Sequence, residues 1–165
     1  MYTLRLTVNG QAHRAEAGAC ATLLEVLRDH LHITGPKLGC NTGDCGSCSV
    51  LLDSRLVKSC ITNALACDGM SVITVEGLAR EGGLHPLQVA FQERAATQCG
   101  FCTPGMLMAA RALLDENPHP TRDEVKEALS GNLCRCTGYV AIVDAVLDAA
   151  AQLARSGERS AEEAS

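Results

Sequence analysis

The chain has no Trp, and only two Tyr and two Phe among 165 residues. Bulky core material is therefore scarce, and small domains built this way usually draw on metals or disulfides for the rest of their stability. No apolar run approaches the length of a membrane span. The opening stretch, Met-Tyr-Thr-Leu-Arg-Leu-Thr-Val-Asn-Gly, carries neither a long apolar h-region nor a small-residue cleavage site, so a secretory leader is not expected. The expectation is a cytoplasmic chain, where thiols serve metals or catalysis rather than disulfides. Positive charge is also short: the net charge is -5, with no basic stripe and no aromatic stacking platform. Nucleic acid is accordingly not expected as a partner.

Cysteine is what the chain has in quantity. There are ten, and eight fall into two fours. Cys40, Cys45, Cys48 and Cys60 are spaced C-x4-C-x2-C-x11-C; Cys99 and Cys102 form a C-x2-C, and Cys134 and Cys136 a C-x-C. Four thiolates per site is what a [2Fe–2S] cluster takes, two on each iron, and C-x4-C-x2-C…C is the plant-type ferredoxin spacing. Zinc competes. Structural zinc prefers paired C-x2-C knuckles, so the first set points to iron–sulfur, while spacing alone leaves the second open between the two. Gly39, Gly43 and Gly46 suit a loop that wraps closely enough for backbone N–H groups to reach a cluster.

The hydrophobic pattern changes character along the chain. Leu4, Leu6 and Val8 alternate with polar residues as a half-buried strand does, and Asn9-Gly10 supplies a tight hairpin turn. Thr22 and Glu25 form a capping box opening a helix with Leu23, Leu24, Leu27 and Leu31 on one stripe. Ser49 to Leu52 and Arg55 to Lys58 read as a second hairpin, and Ser71 to Val75 as a last strand. Gly82-Gly83 marks the change to helical spacing. Helices are expected over His85 to Ala95, from a Thr103 cap with Pro104 at the first helical position, from the Thr121–Glu124 capping box to Leu129, and from Tyr139 to about Arg155. Helix starts at Thr103 and Tyr139 would aim positive dipole ends at the second cysteine set. The fold expected is α+β: a β-grasp ferredoxin-like domain over 1–76, a linker over 77–84, a four-helix bundle over 85–155 and a flexible tail over 156–165. Each domain would hold about 75 to 80 residues.

Three stretches together carry a resemblance. They are Gly39-Cys-Asn-Thr-Gly-Asp-Cys-Gly-Ser-Cys48, Gln98-Cys-Gly-Phe-Cys-Thr-Pro-Gly-Met106 and Gly131-Asn-Leu-Cys-Arg-Cys-Thr-Gly-Tyr139. They resemble the iron–sulfur subunit of the molybdenum hydroxylases, the family of xanthine dehydrogenase, carbon monoxide dehydrogenase and 4-hydroxybenzoyl-CoA reductase. The second and third look closest to the last of these. The match runs from about residue 3 to 153 and includes all eight ligand positions; Ser47 replaces a common alanine. The resemblance implies two [2Fe–2S] clusters that relay electrons between a molybdenum–pterin cofactor on a large subunit and FAD on a medium subunit. It implies a heterotrimer, alone or dimerised. The helical-domain cluster would lie nearest the pterin, with Gln98 and Cys136 matching positions that touch it. This chain has no molybdenum- or flavin-binding region of its own, and a free-standing two-cluster carrier is the alternative.

Other residues have plainer roles. Cys20 and Cys67 are expected as buried small hydrophobes. His30, His32 and His119 read as surface residues, and Met106 and Met108 as helix packing. Asp44 and Arg135 are expected to tune solvation or meet a partner.

Overall fold

The computed structural model describes residues 1–79 and 83–162. Two hairpins and a fifth strand form one mixed sheet. β1 (Tyr2–Val8) pairs antiparallel with β2 (Gln11–Ala17), and β3 (Ser49–Leu52) antiparallel with β4 (Arg55–Lys58). β5 (Ser71–Ile73) lies between them, parallel to β1 and antiparallel to β3, in the order β2-β1-β5-β3-β4. Both hairpin turns place two successive residues in the left-handed region: Asn9 and Gly10 (φ 51° and 83°), then Asp53 and Ser54 (φ 44° and 67°). Such turns match the right-handed twist of the flanking strands.

Strand alternation divides the sheet into two faces. Leu4, Leu6, Val8, Val50 and Val72 face one way and pack with Leu23, Val26 and Leu27. These last come from α1 (Leu23–Glu25), which opens on the expected Thr22–Glu25 capping box and continues as a π turn over Val26–His30. Leu51 faces the other way, into the core of the helical half. β3 is thus buried on both sides, and the two halves of the chain share packing there.

The helical half contains α2 (Pro86–Glu93), α3 (Thr103–Glu116), α4 (Arg122–Leu129) and α5 (Val140–Glu162). α2 is capped by His85, whose Nδ1 accepts from the Leu87 N–H at 3.1 Å; α4 opens on the Thr121–Glu124 box. Met106, Met108, Leu87, Phe91, Val125, Leu129, Ile142 and Val146 fill the core between them. Arg94 pairs with Asp148 and Arg122 with Asp144, tying α2 and α4 to α5 at the surface.

Several expectations shift. The residue capping α3 is Cys102, with Thr103 the first helical residue and Pro104 the second. β5 ends at Ile73, because Val75–Gly77 turns into a short 3₁₀ segment. The tail expected from Ser156 is helical to Glu162, since no Pro stops α5, and the Ser156 hydroxyl bonds back to the Gln152 carbonyl. Gly82 of the expected Gly82-Gly83 break lies outside the described residues. Among the described residues, no helix is long and apolar enough to cross a membrane.

Candidate metal centres

The first centre is built by the loop between the π turn and β3. Asn41 (φ 61°), Gly43 (φ 86°) and Gly46 (φ 71°) put three residues of this loop in the left-handed region. The chain therefore curls around Cys40, whose sulfur accepts the N–H groups of Thr42 and Cys45, both at 3.4 Å. Gly39 serves differently: a Cβ there would lie 2.6 Å from the Cys45 sulfur. Cys60 arrives from beyond β4, in a segment strapped to α1 by Leu24 N–H to Ser59 O and Leu23 N–H to Thr62 O. Cys48 and Cys60 are buried together with Leu24.

The second centre sits between the start of α3 and the start of α5. Gly100 and Gly138 are left-handed (φ 83° and 66°), as is Tyr139 (φ 69°). Tyr139 earns that strained conformation through its hydroxyl, which accepts the Cys134 N–H at 2.7 Å and donates to Asn132 O at 3.3 Å. The Thr137 hydroxyl donates to the Cys134 sulfur at 3.1 Å. The Cys136 and Cys99 sulfurs stand 3.6 Å apart, both exposed. Gln98 is exposed beside them.

Within each centre the thiols act on one another: Cys48 and Cys40 on Cys60 in the first, and Cys134 and Cys99 on both Cys102 and Cys136 in the second. The thiols also differ in acidity. The Cys45 N–H, then the Thr42 hydroxyl and N–H, lower Cys40 to about 6. Burial pushes Cys134 up, but the Thr137 hydroxyl and nearby N–H groups outweigh it and leave it at about 7. Burial raises Cys60 to about 11 and Cys102 to about 12, helped in each case by the neighbouring thiol. The thiol of Cys99 raises Cys136 as well, so each centre offers a ready thiolate beside at least one reluctant thiol.

The two cysteine loops touch. The Cys45 carbonyl accepts the Leu133 N–H at 2.9 Å, and the Gly46 carbonyl accepts Asn132 Nδ2 at 2.9 Å. The start of α3 closes on the same point, where a Cβ on Gly105 would run into the Gly46 carbonyl. Lys58, half-buried at the end of β4, donates to Ser49 Oγ, Gly131 O and Asn132 Oδ1 at 3.0, 2.8 and 3.2 Å. Burial lowers its pKa, while the thiols of Cys48 and Cys45 pull it back up.

The eight cysteines picked out by spacing are brought together as two sets. Lys58, Asn132 and Thr137 had no role from sequence, and Tyr139 only that of a helix start; the Gly-Asn step at 131–132, an irregular loop next to a ligand pair, was a local signal for Asn132 alone. Cys67 is buried as expected, but Cys20 is exposed, because it sits in the surface turn between β2 and α1. His30, His32 and His119 are exposed, and Met106 and Met108 are in the core.

Cysteine-rich loops on an α+β frame define the class, and comparison with known proteins agrees. Residues 6–70 match the 2Fe-2S iron-sulfur cluster binding domain family, and residues 74–147 the [2Fe-2S] binding domain family. The nicotine 6-hydroxylase small subunit of Paenarthrobacter nicotinovorans is 54% identical, over 88% of each chain. The aldehyde oxidoreductase of Megalodesulfovibrio gigas is 46% identical over 88% of this chain, which spans only 16% of that protein. In the solved quinoline 2-oxidoreductase of Pseudomonas putida 86, a chain 47% identical superposes with a TM-score of 0.90, covering 95% of this chain and 98% of that one. The chain belongs to the iron–sulfur small subunits of the molybdenum hydroxylase, or xanthine dehydrogenase, family. It is a non-catalytic iron–sulfur component of a molybdenum-containing oxidoreductase.

Proposed function

We propose that this chain is an electron relay. Cys40, Cys45, Cys48 and Cys60 hold one [2Fe–2S] cluster, and Cys99, Cys102, Cys134 and Cys136 hold another. The observation that carries the reading is that each set of four cysteines falls whole within a stretch matching a 2Fe-2S binding family, the first within residues 6–70 and the second within residues 74–147. Four thiolates are what a [2Fe–2S] cluster takes, two on each iron. The second match favours iron–sulfur at the second centre too, where spacing alone left zinc open.

When bound, each cluster takes up and returns a single electron. This chain's own residues do the rest. Backbone and hydroxyl donors stabilise the thiolates of Cys40 and Cys134. Buried Cys48 and Cys60 keep water from one side of the first centre. Exposed Cys99, Cys136 and Gln98 present the second centre to a partner. We read that partner as a large subunit carrying the molybdenum–pterin cofactor, with Gln98 and Cys136 facing the pterin. The Gln98 amide offers both a donor and an acceptor to a heterocycle's polar edge. The first centre then faces FAD on a medium subunit, in a cytoplasmic heterotrimer, alone or dimerised.

A free carrier is the weaker reading, because the loops of the second centre expose Phe101 (45%), Leu133 (56%) and the neighbouring Val140 (66%). Large apolar side chains so placed suit a permanent partner. In architecture, we read the sheet with α1 as a β-grasp and α2 to α5 as a four-helix bundle. Reduced, fully loaded protein should show two different S = 1/2 paramagnetic signals and about four irons per chain. A single signal, or zinc in either centre, would overturn the relay.

A further inference from the structure

Lys58 lies where the two cysteine loops meet, and its surroundings are unusual for a surface-strand lysine. Its three acceptors, Ser49 Oγ, Gly131 O and Asn132 Oδ1, use the three protons of an ammonium. Two of the three residues are almost fully enclosed: Ser49 is 1% exposed and Asn132 2%. None is a carboxylate, so hydrogen bonds satisfy the ammonium while its charge stays uncompensated by any of them. Lys58 is also two residues from Cys60 along the chain, while Gly131 and Asn132 lead directly into Cys134. Asn132 completes the node by donating to Gly46 O, between Cys45 and Cys48.

We propose that Lys58 is a positioning residue that holds the two loops together and sets an uneven electrostatic balance between the centres. The inference rests on the relay reading. A fixed positive charge favours the more negative, reduced form of whatever it faces. Lys58 belongs to the strand leading into the first centre. The ligand thiols that act on its charge are Cys48, Cys45, Cys60 and Cys40, all of the first set. The charge therefore favours electron residence at the first centre, the outlet in the relay. The same node keeps Cys45 O against Leu133 N, a direct backbone bond between the two loops.

Redox titration of the fully loaded complex, following the two paramagnetic signals separately, tests this. In Lys58→Met the reduced-to-oxidised ratio of the first centre, at fixed ambient potential, should fall roughly tenfold, as expected for loss of one poorly screened charge. The second centre should move much less. Lys58→Arg should restore most of the difference. Ser49→Ala removes the hydrogen bonds that Ser49 Oγ accepts from Lys58 and Asn132 but no charge, and should leave both ratios near those of the unaltered protein. If the Met variant fails to load, Lys58→Gln carries the same expectation, because it keeps a donor for Gly131 O. Equal shifts at both centres, no shift in either neutral variant, or a Ser49→Ala shift as large as that of Lys58→Met would overturn the charge role. Absence of two signals in the unaltered protein would instead overturn the relay reading itself. Hydrogen exchange at the Leu133 amide provides a readout independent of electron flow: it should quicken in Lys58→Met and stay slow in Lys58→Arg.

Discussion

At the scale of single residues, the chemistry depends on how the chain treats thiols that are identical in composition. Cys40 at about 6 is a thiolate throughout the neutral range, because the N–H groups of Cys45 and Thr42 point at it. Cys60 at about 11 and Cys102 at about 12 are protonated there, because burial penalises their charge. The thiolate is the reactive form. In metal-free protein that keeps this fold, alkylation of Cys40 should rise through pH 6 and be level by pH 8. Labelling of Cys60 and Cys102 should still be climbing at pH 10. Mass spectrometry of each peptide against pH checks this, and parallel profiles for all three would contradict it. The eight candidate ligands were legible in the sequence because their spacing is itself the signal. Lys58 was not: its partners Gly131 and Asn132 stand 73 and 74 positions away, beyond any local pattern. Cys20 was misread because cysteine's usual burial yielded to its place in an exposed turn.

At the scale of elements, turns and caps were readable and junctions were not. Asn9-Gly10, Thr22–Glu25 and Thr121–Glu124 each contain their own explanation within four residues, and the structure bears each out. The π turn after α1, the Cys102 cap of α3 and the helical run to Glu162 depend on neighbouring elements or on the absence of a stop, which no short window contains. The junction of α3 with the first cysteine loop yields a clear expectation. Gly105 is in the first turns of α3, where alanine would ordinarily gain about 1 kcal/mol in helix propensity. Here the new Cβ would meet the Gly46 carbonyl, with Asn132 Nδ2 only 3.0 Å away. Both neighbours are held by the node and cannot easily give, so the sign reverses. Gly105→Ala should destabilise the protein by about 1–3 kcal/mol, seen as a lower urea midpoint with an unchanged slope. A site with open space such as Gly18, where a Cβ meets nothing within 4 Å, should tolerate alanine with little effect. A stabilised Gly105→Ala variant would mean the junction is looser than the structure has it.

At the scale of the whole molecule, the two halves are joined twice, by the shared packing around Leu51 and by the polar node around Lys58. The sequence suggested two units with separate cores; it could not reveal that β3 is buried on both faces, because a fully apolar Val50-Leu51-Leu52 run fits several arrangements. Joining the halves matters for a relay because it fixes one cysteine set relative to the other, while Cys99, Cys136 and Gln98 remain exposed at the surface. Gln98 is the place to test whether that exposed end is the entry. An exposed glutamine contributes little to folding, so Gln98→Ala should leave stability within about 0.5 kcal/mol of the original. Iron content and reduction by an artificial dye should also stay near normal, since neither depends on a pterin contact. If Gln98 bonds the heterocycle in the assembled enzyme, substrate-driven reduction of the second centre should slow, and stopped-flow spectroscopy would record it. The slowing should be absent when electrons are supplied by the dye, which separates a broken entry from a damaged centre. An unchanged substrate-driven rate, with cofactors fully loaded, would remove Gln98 from the route.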